Sequence, residues 1–327
     1  MQQFQRERRL FLGAVLAVGA AGVAAQVWPP AVVRIVVPYP PGTEPDVMAR
    51  DLGAAFARQT GKTFVVDNRP GANSIIGTTE VVNSGDADGG TLLLVDRLAV
   101  VTNPALYRKL PYRWENSLAP VTDLAGVRLF MSVRAGFPAK TYAEFVGYAR
   151  ANPGKVMVGT GGNGHVTHIG MAMLAQSEGL TFIYVPYKGV APAMQGLLGG
   201  EIDAMLAGGL VTQPHHRAQK ITALVVGDDQ RGPAMPDVPT LAEAGGKPGS
   251  LPSTTFTLLA PAKVPAAVVA RISTTVGELL ANPELRRGYE ARGLVVTPST
   301  PEHTLAAMKQ DAERFGKIIH AAGIRID

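Results

Sequence analysis

One succession occurs twice in this chain and restricts its fold more than any other feature. It is an apolar run, a loop rich in glycine or proline, an amphipathic stripe, and a second apolar run that ends in a turn. In the first copy Val32–Tyr39 is the strand, "PPGTEPD" (Pro40 to Asp46) is the loop, Met48, Leu52, Ala55 and Phe56 recur at helical spacing, and Thr63–Gly71 is the returning strand with its turn. In the second copy Val156–Val158 is the strand and "GTGGNGHVTH" (Gly159 to His168) the loop. Ile169, Met173 and Leu174 form the stripe, and Thr181–Gly189 is again a strand with a turn. Each copy reads as a βαβ unit, which needs parallel strands with the crossover helix on one face, and two units predict two α/β lobes.

The rest of the chain fits this plan. Gly89–Val95 and Leu118–Val133 read as strands and Tyr142–Ala149 as a helix; Ala191–Leu198 is a helix, and Ile202–Leu206 and Ile221–Val226 are strands. The following "GDDQRGPAMPDVPTLAEAGGKPGS" is rich in Pro and Gly, as expected of a chain leaving one lobe and wrapping back to the other. Near the end Thr300 can cap a helix that has Pro301 in its first position and Leu305, Met308, Ala312, Phe315 and Ile319 as its buried stripe. A discontinuous first lobe is therefore expected, residues 26–125 and 227–327, with residues 126–226 inserted as the second lobe. The 327 residues suffice for two cores.

The first 25 residues stand apart. Arg6, Arg8 and Arg9 precede the apolar run Leu10 to Val18, and Val23-Ala24-Ala25 resembles a signal-peptidase site, so residues 1–25 read as a cleaved export signal. Arg8-Arg9-Leu10-Phe11-Leu12 also resembles a twin-arginine motif, but Sec export to the periplasm is the favoured route. The formal charge is +5, of which +2 belongs to Arg6, Glu7, Arg8 and Arg9, leaving +3. Those charges are scattered among acids, without the basic face that nucleic-acid binding needs. Cysteine is absent, which removes disulfides, thiolate zinc sites and thiol nucleophiles together.

Gly159, Gly161 and Gly164 match the G-x-G-x-x-G spacing of a dinucleotide loop, with a strand before and a helix after. No carboxylate follows where a ribose would need one, because Phe182–Val185 leads into Pro186, Tyr187, Lys188 and Gly189. Two lobes that each offer a loop and a helix N-terminus can instead clamp an anion, since unsatisfied backbone N–H groups and the helix dipole favour a carboxylate or phosphate. No G-x-S-x-G, H-E-x-x-H or paired-carboxylate motif supports a hydrolase. His165 and His168, three apart, with His215-His216, offer imidazoles for a metal, or His168 caps its loop and His215-His216 lies on a solvated turn. The expectation is no metal, no cofactor and no enzyme.

Several stretches together, "VVPYPPGTEPDVMAR", "VVDNRPGANSIIG", "NPALYRKLPY", "GNGHVTH", "VPYKGVAPAMQGLLGGEIDAM" and "MPDVPTLAEAG", resemble the Bug (TctC-type) receptors of tripartite tricarboxylate transporters. The resemblance runs through the mature chain in order and includes "LLAPAKVPAAVVARI". It implies a type II periplasmic binding protein fold, in which two α/β lobes of mainly parallel sheet flanked by helices close on a small organic carboxylate. It also implies a monomer that delivers this ligand to a membrane permease. A periplasmic sensor acting through a signalling partner is the alternative, ahead of a hydrolase or nucleotide-binding enzyme.

Carried onto this sequence, the resemblance places the first-lobe contacts at Tyr39, Gly42, Thr43 and Asp46, with Asn68 after the returning strand. The second-lobe contacts fall at Thr160, Gly161, Asn163, Gly164, His165, Thr167 and His168, followed by Tyr187. Read as residues alone, Asp46 is either an N-cap or a ligand contact, Asn68 a turn former or a donor, and Tyr187 a cleft wall or ordinary packing. The chain departs from the family's pattern at Thr43, which stands where a second glycine is usual. It departs again at Asn73-Ser74 within "GANSIIG", at Asp96-Arg97-Leu98-Ala99, and at His165-Val166-Thr167. Arg97, at a strand's carboxyl end, is expected either to grip a ligand carboxylate or to pair with Asp96 at the surface.

Overall fold

A computed structural model describes residues 28–321 and 323–326; the export-signal reading of residues 1–25 lies outside them. In chain order the first elements are β1 (Val32–Val37), α1 (Glu44–Thr60), β2 (Thr63–Asn68), α2 (Ile75–Asn83), β3 (Thr91–Asp96) and α3 (Arg97–Leu106). They are followed by α4 (Trp114–Ser117), β4 (Leu118–Val127), β5 (Leu129–Arg134), α5 (Tyr142–Ala151), β6 (Val156–Thr160), α6 (Val166–Glu178), β7 (Phe182–Pro186) and α7 (Val190–Gly199). The chain continues through β8 (Ala204–Gly208), α8 (Gly209–Arg217), β9 (Ile221–Val226), β10 (Thr254–Pro261), α9 (Ala266–Ala281), α10 (Pro283–Ala291), β11 (Leu294–Val296) and α11 (Pro301–Ala321).

These strands build two sheets, in the orders β11-β4-β10-β3-β1-β2 and β7-β6-β8-β5-β9. Both βαβ units form as the repeat predicts: β1 pairs with β2 in parallel, Val37 opposite Asn68, and β6 pairs with β7 in parallel, Thr160 opposite Pro186. The α1 stripe is fully committed, with Met48, Leu52, Ala55 and Phe56 all buried. Phe56 stacks on Phe64 of β2 and takes the edge of Trp28, which locks helix to sheet.

The sheets are mixed where mainly parallel ones were expected. The reason is the crossing strands. β10 runs antiparallel between β3 and β4, and β5 runs antiparallel between β8 and β9. The first crossing is Arg128 between β4 and β5, which forms an ion pair with Asp228 just after β9, Nε to Oδ2 3.2 Å, so the outgoing and returning chains are tied to each other. Two register shifts in the β4–β10 pairing mark bulges, which bend and twist strands at such exits.

The topology positions the loops. β1, β2 and β3 are parallel, so the segments after Val37, Asn68 and Asp96 leave the same edge of the first sheet. β6, β7 and β8 are likewise parallel, so those after Thr160, Pro186 and Gly208 share one edge of the second. Helix α6 lies between the lobes: Val166, Ile169, Ala172 and Met173 pack into the core of the first sheet, and Met171, Leu174 and Ala175 into that of the second.

Candidate functional site

The first-lobe loop is held by Asp46. Its buried carboxylate accepts the Gly42 N–H at 2.8 Å, the Asn68 amide at 2.9 Å and a two-point contact from Arg50 at 2.9 and 3.1 Å. Burial alone would raise its pKa, but Arg50, Gly42 and Asn68 outweigh it and hold the carboxyl below the usual range. Asn68 also donates to the Tyr39 carbonyl at 3.1 Å, so two of the expected ligand contacts instead fold the loop around each other. Thr43 is the N-cap of α1 by backbone, but its hydroxyl turns back to the Pro40 carbonyl at 2.7 Å. Tyr39 accepts the Asp96 N–H with its hydroxyl oxygen, and burial raises its pKa.

The second-lobe loop is equally self-contained. The Gly161 N–H donates to the Thr167 hydroxyl at 2.9 Å, and the Gly164 N–H donates to His168 Nδ1 at 3.1 Å. His165 is the N-cap of α6, its Nδ1 accepting the Thr167 N–H. Burial, with His168 nearby, pushes the pKa of His165 down to about 4, so it is a neutral cap at physiological pH. Burial also lowers His168, whose ring meets Tyr184 edge-on. Thr160 is buried at the end of β6, its hydroxyl on the Gly162 carbonyl, whereas Asn163 at the loop tip is exposed.

Tyr187 lies against the loop, its ring beside Gly159 and its carbonyl beside Gly162. Its N–H continues the β6–β7 pairing to the Thr160 carbonyl, but its hydroxyl donates to Glu201 at 3.1 Å, beneath α7. Arg97 is neither a free clamp nor a partner of Asp96. Its Nε contacts Asp311 of α11 at 2.8 Å and its Nη1 contacts Asp123 of β4 at 2.7 Å. Asp96 instead caps α3 through the Leu98 N–H and accepts from Thr254, and burial raises its pKa to about 6. Arg97 lines a recess with Asp228, Thr254, Asp311 and Arg314, which includes none of the residues of the two loops. The histidine pair expected on a solvated turn lies in the last turn of α8, where His216 contacts Asp237 and accepts from the Ala223 N–H. Among the described residues no group of three or more His, Asp or Glu side chains is arranged to hold a metal ion.

The second-lobe loop is joined to the first lobe from outside the expected ligand loops, at the turn after β2 where the sequence departs from the family's pattern. Ala72, Asn73 and Ser74 all have positive φ (46°, 46° and 70°), a backbone conformation natural to glycine and tolerated by Asn. From this bend the Asn73 amide crosses to the other lobe and donates to the Gly164 carbonyl at 3.1 Å. It is steadied by Asn103, whose own amide donates to the Asn73 carbonyl. Gly164 has φ +72°, and a side chain there would strike Leu106 and Ile326 of the first lobe. The signal was present in the sequence as Asn-Ser where glycines are usual.

A second bridge is made by Glu44, in the first turn of α1. Its Oε1 accepts the N–H of Leu210, in the first turn of α8 on the other lobe, at 3.2 Å. The carboxylate lies so close to Gly208 that a methyl group there would overlap it. Burial pushes Glu44 up to about 7, against the opposing effect of the Leu210 N–H.

Two α/β sheets exchanging their chain through crossing strands, with strand-end loops of each lobe in contact, define the periplasmic binding protein fold. The chain belongs to the tripartite tricarboxylate transporter receptor family, TctC, which matches residues 48–324. It is 28% identical over 308 residues to Protein BugT of Bordetella pertussis, covering 94% of each chain. Among solved structures it is similar to R. palustris Rpa4515 with adipate, at 29% identity and TM-score 0.86, covering 91% of this chain and all of that one. It is also similar to MatC of Rhodopseudomonas palustris with bound malate, at 28% identity and TM-score 0.80, covering 88% and 98%. Among the described residues no helix is long and apolar enough to cross a membrane.

Proposed function

We propose that this chain is an exported receptor, not an enzyme, that captures a small organic carboxylate between its lobes and delivers it to the membrane permease of a tripartite tricarboxylate-type transporter. In this reading the lobes divide near Arg128 and Pro252, where the expected boundaries were 125/126 and 226/227, because Val127 still pairs in the first sheet and Leu241 and Leu251 pack in the core of the second. The ligand meets the Tyr39 to Asp46 and Thr160 to His168 loops, with Asn68 and His165 setting the shape of the pocket and backbone N–H groups supplying the donors. The observation that carries it is the contact across the lobes at these strand ends, Asn73 in the turn after β2 to Gly164 and Glu44 in the Tyr39 to Asp46 loop to Leu210, where the carboxyl ends of parallel strands from both lobes converge. The adipate and malate bound by the two similar proteins support the ligand class.

The test is calorimetric titration of the mature protein with a panel of small carboxylates, beside oxidised and reduced nicotinamide dinucleotide. Saturable binding of a carboxylate and none of the dinucleotides is expected. A micromolar dinucleotide affinity, or no carboxylate binding at all, overturns the reading.

A further inference from the structure

Helix α8 begins at Gly208, which has no side-chain oxygen to cap it, and its first amides therefore need an acceptor from elsewhere. Glu44 supplies one from the opposite lobe. The contact lies in the cleft region: β8 runs parallel to β6, so Gly208 ends its strand on the edge from which the Gly159–His168 loop departs, and Glu44 follows the loop after β1. A carboxylate can come this near the backbone only because residue 208 is glycine. The other acid of the same turn, Asp46, is neutralised by Arg50, whereas among the described residues no cation forms an ion pair with Glu44.

We propose that Glu44 is a specificity-determining residue that sets the charge of the ligand: its carboxylate fills the anion-accepting start of α8, so the cleft receives one carboxylate of the ligand and rejects a second. The inference rests on the receptor reading above and sharpens it to monocarboxylates. A dicarboxylate entering the closed cleft would either displace Glu44 from the Leu210 N–H or lie beside a second negative charge in a partly dehydrated space. Like charges a few ångströms apart in such a medium repel by well over the equivalent of a tenfold change in affinity. The elevated pKa of Glu44 agrees with a carboxylate held where water and counter-charge are scarce.

The experiment measures dissociation constants at pH 8, where Glu44 is ionised, for matched pairs: butanoate and succinate, hexanoate and adipate, benzoate and terephthalate. The wild-type mature protein should prefer the monocarboxylate of any pair it binds by tenfold or more. Glu44→Gln, which keeps the shape and removes the charge, should reduce the preference for the monocarboxylate over its matched dicarboxylate about tenfold. A wild type that binds both members equally, or a preference unchanged in Glu44→Gln, overturns this inference while leaving the receptor intact. Absence of binding by every acid in both proteins overturns the receptor reading, and this inference with it.

Discussion

Asn68 donates its amide to Asp46 across 2.9 Å, joining the end of β2 to the first turn of α1. Asp46 in turn gathers Gly42 and Arg50, so one carboxylate organises the whole first-lobe loop. Hydrogen bonds to charged groups contribute about 1.5–3 kcal/mol each, discounted here because Arg50 and Gly42 are exposed and Asn68 is half-buried, so water can meet the partners left behind. Asp46→Ala should therefore destabilise the protein by about 2–4 kcal/mol in urea unfolding. A stability unchanged by this substitution would assign Asp46 to ligand contact alone.

Arg97 bridges Asp123 on β4 to Asp311 on the last helix. Removing it strands two carboxylates, and breaking a buried pair costs about 3–5 kcal/mol. Arg97→Ala is expected to lower the melting temperature strongly, and Arg97→Lys to recover only part of the loss, since an ammonium cannot repeat the planar two-point contact. Ligand affinity measured on the folded fraction should change little.

His165 gives stability a pH dependence of defined sign. Its folded pKa, about 4, lies below the ordinary value of 6.5. Above 6.5 both states are neutral and its contribution is fully present. As pH falls the unfolded chain takes a proton that the folded chain refuses, so stability declines from pH 6.5 down to about 4. His165→Asn keeps a capping acceptor but does not titrate, and its unfolding free energy should fall less than that of the wild type between pH 7 and pH 5.

Asn73→Gly separates backbone from contact. Glycine accepts the positive φ at least as well, so the backbone is unstrained and the loss is confined to the side-chain bridge to Gly164 and the bond to the buried Asn103, about 1–3 kcal/mol. If that bridge holds the lobes together, small-angle scattering of the unliganded variant should show a larger radius of gyration than the wild type.

The parts of the fold legible in the sequence are those whose signal is local. The periodic stripes of α1 and α11 and the two βαβ units needed only neighbouring residues, and Met48, Met308, Phe315 and Ile319 are buried as their spacing predicts. β10 escaped notice because Thr254–Pro261 is flanked by a Pro/Gly-rich wrap, and its partners lie far upstream in β3 and β4. The helix starting at Arg97 is left unassigned by the sequence reading, although Asp96 is an ordinary N-cap. At the site, loops could be located from strand ends, but side-chain direction could not. Asp46 and Asn68 turn toward each other, and Arg97 turns toward acids distant in sequence. The residues that cross between lobes, Glu44 and Asn73, have no motif because their partners are backbone atoms of the other lobe.

β10 is the one strand that fills the space between β3 and β4, and it arrives late: Thr257 bonds to a carbonyl 135 residues earlier in the chain. As the chain emerges, β1 to β4 are present without the strand that joins them, so the interrupted sheet waits with two open edges while the inserted lobe can already assemble. Long-range pairing of this kind is slow and leaves exposed edges open to wrong partners. The rate-limiting step of maturation is therefore expected to be the insertion of residues 254–261, and the inserted lobe should acquire hydrogen-exchange protection before the lobe that bears both chain ends.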